Sequence, residues 1–114
     1  MITLYGIKNC DTVKKARRWL DENNCEHRFH DFRVDGLTAE TVDTWLKSSD
    51  WNTVLNRRST TWKQLDEDQR NNVSETNVRD LLVANPTLVK RPVTVKGQSV
   101  LIGFNDDKFR DAFQ

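Results

Sequence analysis

The residue of this chain best placed for chemistry is Cys10, one of two cysteines. Ile2 and Leu4 indicate a short buried strand, and helical spacing of apolar residues begins at Val13, so Cys10 falls where a strand gives way to a helix. The N-terminus of a helix favours the thiolate, the form that attacks disulfides and oxyanions. Lys8 adds positive charge nearby and is a candidate anion-binding residue. The alternative is a small, buried and unreactive cysteine.

The spacing after Cys10 restricts the mechanism. Residues 10–13 read Cys-Asp-Thr-Val and lack the second cysteine of a C-x-x-C pair, so no disulfide forms within that turn. Cys25 falls at the start of a predicted second strand, away from the Cys10 end, which favours a structural role. His27 and His30 lie close by in sequence, but Cys25 shares a strand face with His27 alone. Two ligands do not make a zinc site, and we assign no metal.

Length and charge exclude several classes of function. With 114 residues the chain has the size of one domain. Its 18 basic and 17 acidic residues give a net charge of +1, which provides no long-range field to gather nucleic acid. The sequence shows neither a signal peptide nor an apolar stretch of membrane-spanning length. We therefore expect a cytoplasmic protein with reduced thiols and no nucleic-acid or membrane partner.

The order of predicted elements indicates the fold. Residues 1–34 read as a strand, a helix and a second parallel strand, residues 35–86 as helices, and residues 87–114 as a β-hairpin and a final helix. This order predicts one α/β domain, a thioredoxin-like core with a mixed four-stranded sheet and an inserted helical subdomain. The residues in helix-capping positions are Thr38, Asp50, Ser74 and Asn105.

Some finer boundaries also follow from the sequence. The second strand is predicted over residues 25–32, and the hairpin strands over residues 91–95 and 99–102. The helix capped by Ser74 is expected to end at Asn85, because the residue before a proline avoids the α-helical region. The four tryptophans fit helix faces and are predicted to lie in the core.

Four segments of the chain resemble a known family. They are residues 4–16 (LYGIKNCDTVKKA), 30–37 (HDFRVDGL), 56–59 (NRRS) and 90–93 (KRPV). Each segment is short, but the match spans nearly the whole chain, and the segments occur in the order found in the arsenate reductase (ArsC)/Spx family. That family includes glutaredoxin-coupled arsenate reductases and Spx-type transcription regulators. More narrowly, the chain is similar to the YffB-like branch.

The resemblance implies roles for particular residues. Cys10 takes the position of the nucleophilic cysteine, and Arg91 together with one of Arg57 and Arg58 holds an anion against it. A guanidinium offers a planar fork of donors to an oxyanion or carboxylate, and its charge stabilises a nearby thiolate. Pro92 resembles the cis-proline beside the active cysteine of thioredoxin-like folds, where backbone groups pair with a peptide-like thiol.

The leading functional hypothesis is a thiol oxidoreductase in which Cys10 attacks a disulfide or another small substrate. Because its motif contains no internal partner, an external thiol must resolve the mixed disulfide. The resemblance implies glutathione as co-substrate and glutaredoxin as a further partner, with no bound cofactor. The rival hypothesis is a non-catalytic, Spx-like interaction module that uses the helical subdomain or the final helix as its contact surface.

One departure from the family concerns arsenate. Arsenate-reducing members carry a third arginine at the end of the last hairpin strand, where residues 100–104 read VLIGF. We therefore expect no arsenate reduction, although Lys96 is a cation close enough in sequence to be considered as a substitute.

Overall fold

The computed structural model describes all 114 residues and separates them into two compact units. Met1–Gly36 and Arg91–Gln114 form one unit, called the sheet unit below, and Leu37–Lys90 form the other, called the helical unit. The chain therefore leaves the sheet unit after Gly36 and returns to it directly before Pro92.

The first part of the sheet unit is a strand, a helix and a parallel strand. Strand β1 (Ile2–Gly6) precedes helix α1 (Asp11–Glu22), and strand β2 (His27–Asp31) then pairs in parallel with β1. A single-turn helix, α2 (Phe32–Asp35), follows directly. The predicted β-α-β opening is thus confirmed.

The helical unit consists of short helices with local caps. The side chains of Thr38 and Asp50 accept hydrogen bonds from main-chain N–H groups at the starts of their helices, as predicted. Val42 and Trp45 on the first helix, and Val78 and Leu82 on the last, are buried. The helices are α3 (Ala39–Ser48), α4 (Trp51–Val54), α5 (Thr60–Gln64), α6 (Glu67–Asn72) and α7 (Val78–Ala84).

The chain ends in an antiparallel hairpin and a helix. Strands β3 (Val93–Lys96) and β4 (Ser99–Ile102) pair with each other, β3 also pairs antiparallel with β1, and helix α8 (Asp106–Phe113) begins at the predicted cap Asn105. The strand order β2-β1-β3-β4 confirms the mixed four-stranded sheet of a thioredoxin-like fold. None of the helices is both long and apolar enough to cross a membrane.

The strand register brings distant segments to one edge of the sheet. Tyr5 near the end of β1 pairs with His30 near the end of β2 and with Val93 at the start of β3. Val93 in turn pairs with Ile102 at the end of β4. The loop after β1, which carries Cys10, therefore leaves the sheet at the edge where β3 begins. This edge is called the active edge below.

The core of the sheet unit lies between the sheet and helices α1 and α8. Leu4 of β1 and Phe109 of α8 are fully buried with the apolar face of α1, where the spacing of Val13, Ala16 and Leu20 is helical. Each such buried side chain contributes about 1.5–3 kcal/mol of hydrophobic free energy relative to exposure, alanine less. This packing holds α1, and hence Cys10 at its start, against the sheet.

The prediction that Ser74 caps a helix is wrong. Helix α7 begins at Val78, and its N-cap residue is Asn77. The Ser74 hydroxyl pairs with the Thr76 hydroxyl, and the Asn77 side chain accepts from the Ser74 main-chain N–H. These local hydrogen bonds form a turn that competes with an earlier helical start.

Strand β4 has the predicted bounds, whereas β2 and β3 are shorter than predicted, and the tryptophans are less buried. β2 begins at His27 because the Cys25 N–H donates to the Leu20 carbonyl and so belongs to the end of α1. It ends at Asp31, whose side chain accepts from Arg33 N–H and starts α2. β3 begins after Pro92, which has no N–H. Of the four tryptophans only Trp45 is fully buried, while the other three are partly exposed.

Candidate functional site

Cys10 occupies the N-cap position of α1. Its backbone is extended (φ −104°, ψ 124°), and its carbonyl accepts a hydrogen bond from Lys14 N–H at 3.0 Å. The thiol makes no capping hydrogen bond, although this position usually holds a side-chain acceptor. The residue is half-buried and packs against the core of the sheet unit. Its sulfur thus lies at the positive end of a 12-residue helix without an internal partner.

A close approach between β1 and α1 holds this cysteine in place. A Cβ atom added to Gly6 would lie 2.7 Å from Cγ2 of Val13, which is fully buried. Only glycine allows the strand and the helix to pack at this distance. Gly6 was not among the residues singled out from the sequence, and its position at the end of a strand directly before the cysteine loop was the available signal.

Three predicted site residues lie with Cys10 at the active edge. Lys8, in the loop after β1, is exposed and makes no hydrogen bond or ion pair. The peptide bond between Arg91 and Pro92 is cis, and Pro92 is buried. Both residues directly precede Val93, which pairs with Tyr5 of β1.

Arg91 is available for a ligand. Neither its guanidinium nor its main-chain groups make a hydrogen bond within the chain, and the residue is partly exposed. The Pro92 carbonyl, in contrast, already accepts from Gly103 N–H at 2.8 Å. The main-chain groups of Arg91 at this edge are therefore free to pair with a substrate.

Arg57 and Arg58 belong to the helical unit and have different environments. Arg57 donates to the side-chain oxygen of Asn52 at 2.8 Å, and its guanidinium carbon lies 5.6 Å from the ring centroids of both Trp51 and Trp62. The Arg58 guanidinium is exposed and has no partner in the chain. Arg57 is thus held by its own unit, while Arg58 is free.

A cleft of about 420 Å³ in the helical unit contains both arginines. Asn56 and Lys90 line it as well, and the Asn56 side chain accepts from Arg58 N–H at 3.0 Å. The cleft presents three cationic side chains and no acidic one, as an anion site requires. Lys90 was not predicted, and its position next to the matched Arg91 was the signal available in the sequence.

Cys25 lies at the other end of α1. Its thiol donates to the Asn23 carbonyl at 3.6 Å, and its carbonyl is hydrogen-bonded to Nδ1 of His27 at 2.9 Å. The 12 residues of α1 span about 18 Å at 1.5 Å per residue, whereas a disulfide needs Cα atoms within about 7 Å. The chain contains no group of three or more side chains placed to hold a metal ion.

The rings of Tyr5 and His30 contact each other near the active edge at an interplanar angle of 46°. Their ring centroids are 4.8 Å apart, and Nε2 of His30 donates to the Gly36 carbonyl at 2.8 Å. Burial raises the pKa of the Tyr5 hydroxyl, with an opposing contribution from the charge of Arg28. The tyrosine therefore stays protonated in the neutral range and adds no negative charge to this edge.

The comparison with known families decides what kind of protein this is. The family model of the ArsC family matches residues 5–112. The chain belongs to the ArsC family. The resemblance inferred from the four sequence segments is thereby confirmed.

Both solved structures and curated proteins of this family are similar to the chain. A structure named YFFB protein has a TM-score of 0.96 at 42% identity, with 100% of each chain covered. An arsenate reductase (ArsC) related protein from Brucella melitensis has a TM-score of 0.77 at 44% identity, covering 99% of this chain and 94% of that one. The global transcriptional regulator Spx of Streptococcus pyogenes is 29% identical, over 96% of this chain and 83% of the regulator.

The resemblance to arsenate-reducing members implies a third arginine at the end of β4, at the active edge, and this chain has no cation at that position. The end of β4 is at this edge, but Ile102, Gly103 and Phe104 supply no charge there. Lys96 lies at the other end of β3 from Pro92, in the hairpin pair with Ser99. It therefore lies at the end of β3 opposite the edge that holds Cys10.

Proposed function

We propose that this ArsC-family protein is a glutathione-dependent thiol–disulfide oxidoreductase with Cys10 as its single nucleophile. The observation that carries the proposal is the unpartnered Cys10 sulfur at the N-terminus of α1, with the only other thiol at the far end of that helix. A helix N-terminus favours the thiolate, and the separation of the two cysteines requires an external resolving thiol.

The reaction proceeds by three thiol–disulfide exchanges. The Cys10 thiolate attacks one sulfur of a substrate disulfide, the S–S bond breaks, and the departing thiolate takes the electron pair and then a proton. A glutathione thiolate attacks the Cys10 sulfur of the mixed disulfide and releases the second substrate thiol. A second glutathione then attacks the Cys10–glutathione disulfide. One substrate disulfide is reduced, glutathione disulfide is formed and the Cys10 thiolate is restored.

Arg91 and Arg58 are the anion-binding residues of this proposal. Glutathione carries carboxylates, and a guanidinium without an internal partner is ready to bind one. At the active edge this is Arg91, whose free main-chain groups also suit pairing with a peptide-like thiol. In the helical unit it is Arg58, because Arg57 is held by Asn52 and two tryptophans.

The test is the location of the glutathione adduct. Incubation with glutathione disulfide and mass spectrometry should find one glutathione on Cys10 in the native chain and in Cys25→Ser. The Cys10→Ser chain should form no adduct at a comparable rate. An adduct formed mainly on Cys25 would contradict the assignment.

The similarity to Spx favours a second candidate, an interaction module that binds a partner protein without catalysis. The two candidates differ in the reactivity of Cys10. A catalyst requires a thiolate near neutral pH, so iodoacetamide should alkylate Cys10 at pH 7 much faster than Cys25. Equal, slow alkylation of both cysteines would favour the interaction module.

A further inference from the structure

Helices α6 and α7 of the helical unit line an open groove of about 500 Å³, called the α6–α7 groove below. Val73, Leu81 and Ala84 contribute apolar side chains to its lining, and Ala84 is exposed while the other two are half-buried. On the same helix α7, Val78 and Leu82 are fully buried in the unit. The packing of α7 within its own unit therefore leaves an apolar floor that a partner can cover.

The polar groups around this floor are mostly hydrogen-bond acceptors. The Asp68 carboxylate has no partner in the chain, and Asp80 uses one oxygen for Nε of Arg79 and keeps the other free. The side-chain nitrogens of Asn72 and Asn85 donate to main-chain carbonyls at 2.7 and 3.1 Å, which leaves their side-chain oxygens unpaired. No basic residue lines the groove. It therefore suits a ligand that carries donors and positive charge beside apolar groups.

The sequence around the groove is acidic, although the whole chain has a net charge of +1. Residues 66–85 contain five acidic and two basic residues. Both basic residues are engaged within the chain, Arg70 with a main-chain carbonyl and Arg79 with two carboxylates. The Asp68 carboxylate is thus left without a cation. The same negative charge disfavours nucleic acid and anionic lipid at this surface.

We propose that the α6–α7 groove binds a basic amphipathic helix of a partner protein. The apolar side chains of that helix cover Leu81 and its neighbours, and its lysines or arginines meet Asp68 and Asp80. A helix fits better than an extended peptide, because the main-chain groups of α6 and α7 bond within these helices and offer no ladder to a strand. The 7 residues of α7 span about 10 Å, which corresponds to about two turns of the partner.

A second copy of this chain does not supply such a helix. Its most basic helix is α1, and the apolar face of α1 is buried in the sheet unit. The large apolar side chains that the chain exposes are Met1 and Val34. Val34 lies on the single-turn helix α2, next to Asp35, which the acidic groove would repel. A different protein is therefore the occupant that the charges favour.

The first test measures binding of a fluorescent helical peptide to the full chain by anisotropy. The probe has about 15 residues, the length at which isolated helices become stable, with leucine along one face and lysine elsewhere. The control peptide has glutamate in place of every lysine. The lysine peptide should bind at least about tenfold more tightly than the glutamate peptide, and added salt should weaken its binding.

Charge reversals in the chain locate the binding surface. Asp68→Lys should weaken binding of the lysine peptide at least about threefold, because one attraction becomes a repulsion. Asp111→Lys is the matched control, since Asp111 is an exposed carboxylate without an ion pair on α8, outside the groove, and its reversal changes the net charge equally. If Asp68→Lys impairs folding, Ala84→Lys and Ala84→Glu make the same comparison within the groove. The lysine variant should then bind the peptide more weakly.

Amide chemical shifts of the full chain give the position of the bound peptide independently. Changes concentrated in residues 67–85, together with the expected order of the peptides and variants, would support the proposal. It would be overturned if neither peptide binds, if both bind equally, if Asp68→Lys and Asp111→Lys have equal effects, or if the shift changes lie in the sheet unit. None of these outcomes depends on the thiol chemistry of Cys10.

Discussion

Under the proposed function, the cysteine at the N-cap of α1 serves chemistry at the expense of helix capping. Serine, threonine, aspartate or asparagine at this position would accept a hydrogen bond from a main-chain N–H of the first turn. The Cys10 thiol accepts none, although its backbone has the extended conformation of a cap. We interpret this as a local loss of stability that leaves the sulfur free to react.

Cys10→Ser should therefore stabilise the fold. A serine hydroxyl at this N-cap can accept from the first turn of α1, and we expect the free energy of unfolding to rise by about 0.5–1 kcal/mol. Urea unfolding measures the change. Cys10→Ala, which offers no acceptor, is the control and should show no such gain. A less stable Cys10→Ser chain would show that the thiol supports the fold.

The adjacent arginines should separate stability from binding. Arg57→Ala loses a hydrogen bond to Asn52 and two contacts with tryptophan rings, so it should cost about 1 kcal/mol of stability. Arg58→Ala loses no internal partner and should remain within about 0.5 kcal/mol of the native chain. Urea unfolding compares them, and glutathionylation kinetics should show the larger effect for Arg58→Ala. The reverse order in either measurement would exchange their roles.

At the scale of elements, the packing of β1 against α1 determines where Cys10 lies. The buried face of the helix contacts the strand through Val13, and the strand presents Gly6 at the contact. The proposed site depends on this junction because Cys10 is carried by the helix terminus, while Arg91 and Pro92 directly precede β3.

Gly6→Ala should disturb this junction. The new Cβ would lie 2.7 Å from the fully buried Val13 side chain, so the helix or the strand must shift, at a cost of about 1–3 kcal/mol. Urea unfolding and the Cys10 alkylation rate should both change. Adding Val13→Ala removes the clash, so the double variant should be more stable than the sum of the single effects predicts. Strict additivity would mean that the close contact does not limit the packing.

At the scale of the whole molecule, the proposed function depends on where the chain places its cations. The resemblance implies that arsenate-reducing members of the ArsC family bind arsenate with three arginines. This chain has arginines at two of the three matching positions. At the active edge, β4 is followed by Gly103, which carries no charge. Lys96 lies three residues beyond Val93, about 10 Å along the strand from this edge.

Arsenate reduction should accordingly be negligible. Loss of one fixed donor to a developing oxyanion costs about 10²- to 10³-fold in rate. The measurement is arsenate-dependent oxidation of glutathione with glutaredoxin supplied, and Cys10→Ser serves as the control. Robust oxidation in the native chain that disappears in Cys10→Ser would instead make the protein an arsenate reductase.

Much of this fold was predictable because its signals are local. The caps Thr38, Asp50 and Asn105 bond to residues one turn away, and the buried face of α1 follows from a period that any helix imposes. The prediction for Ser74 was wrong because a competing bond is just as local: the Ser74 N–H donates to the Asn77 side chain and forms a turn.

Other properties depend on contacts between residues far apart in sequence. Whether Arg57 or Arg58 is free depends on Trp51 and Trp62, which approach from two different helices. The register of β3 with β4 determines at which end of the sheet Lys96 lies. The close contact between β1 and α1 determines that residue 6 must be glycine. Residue types and periodicity therefore sufficed to place Cys10 at a strand-to-helix junction and to predict the elements around it. The partner of each cation and the distance of each group from the thiol follow from how those elements pack, because a linear pattern does not record which side chains meet.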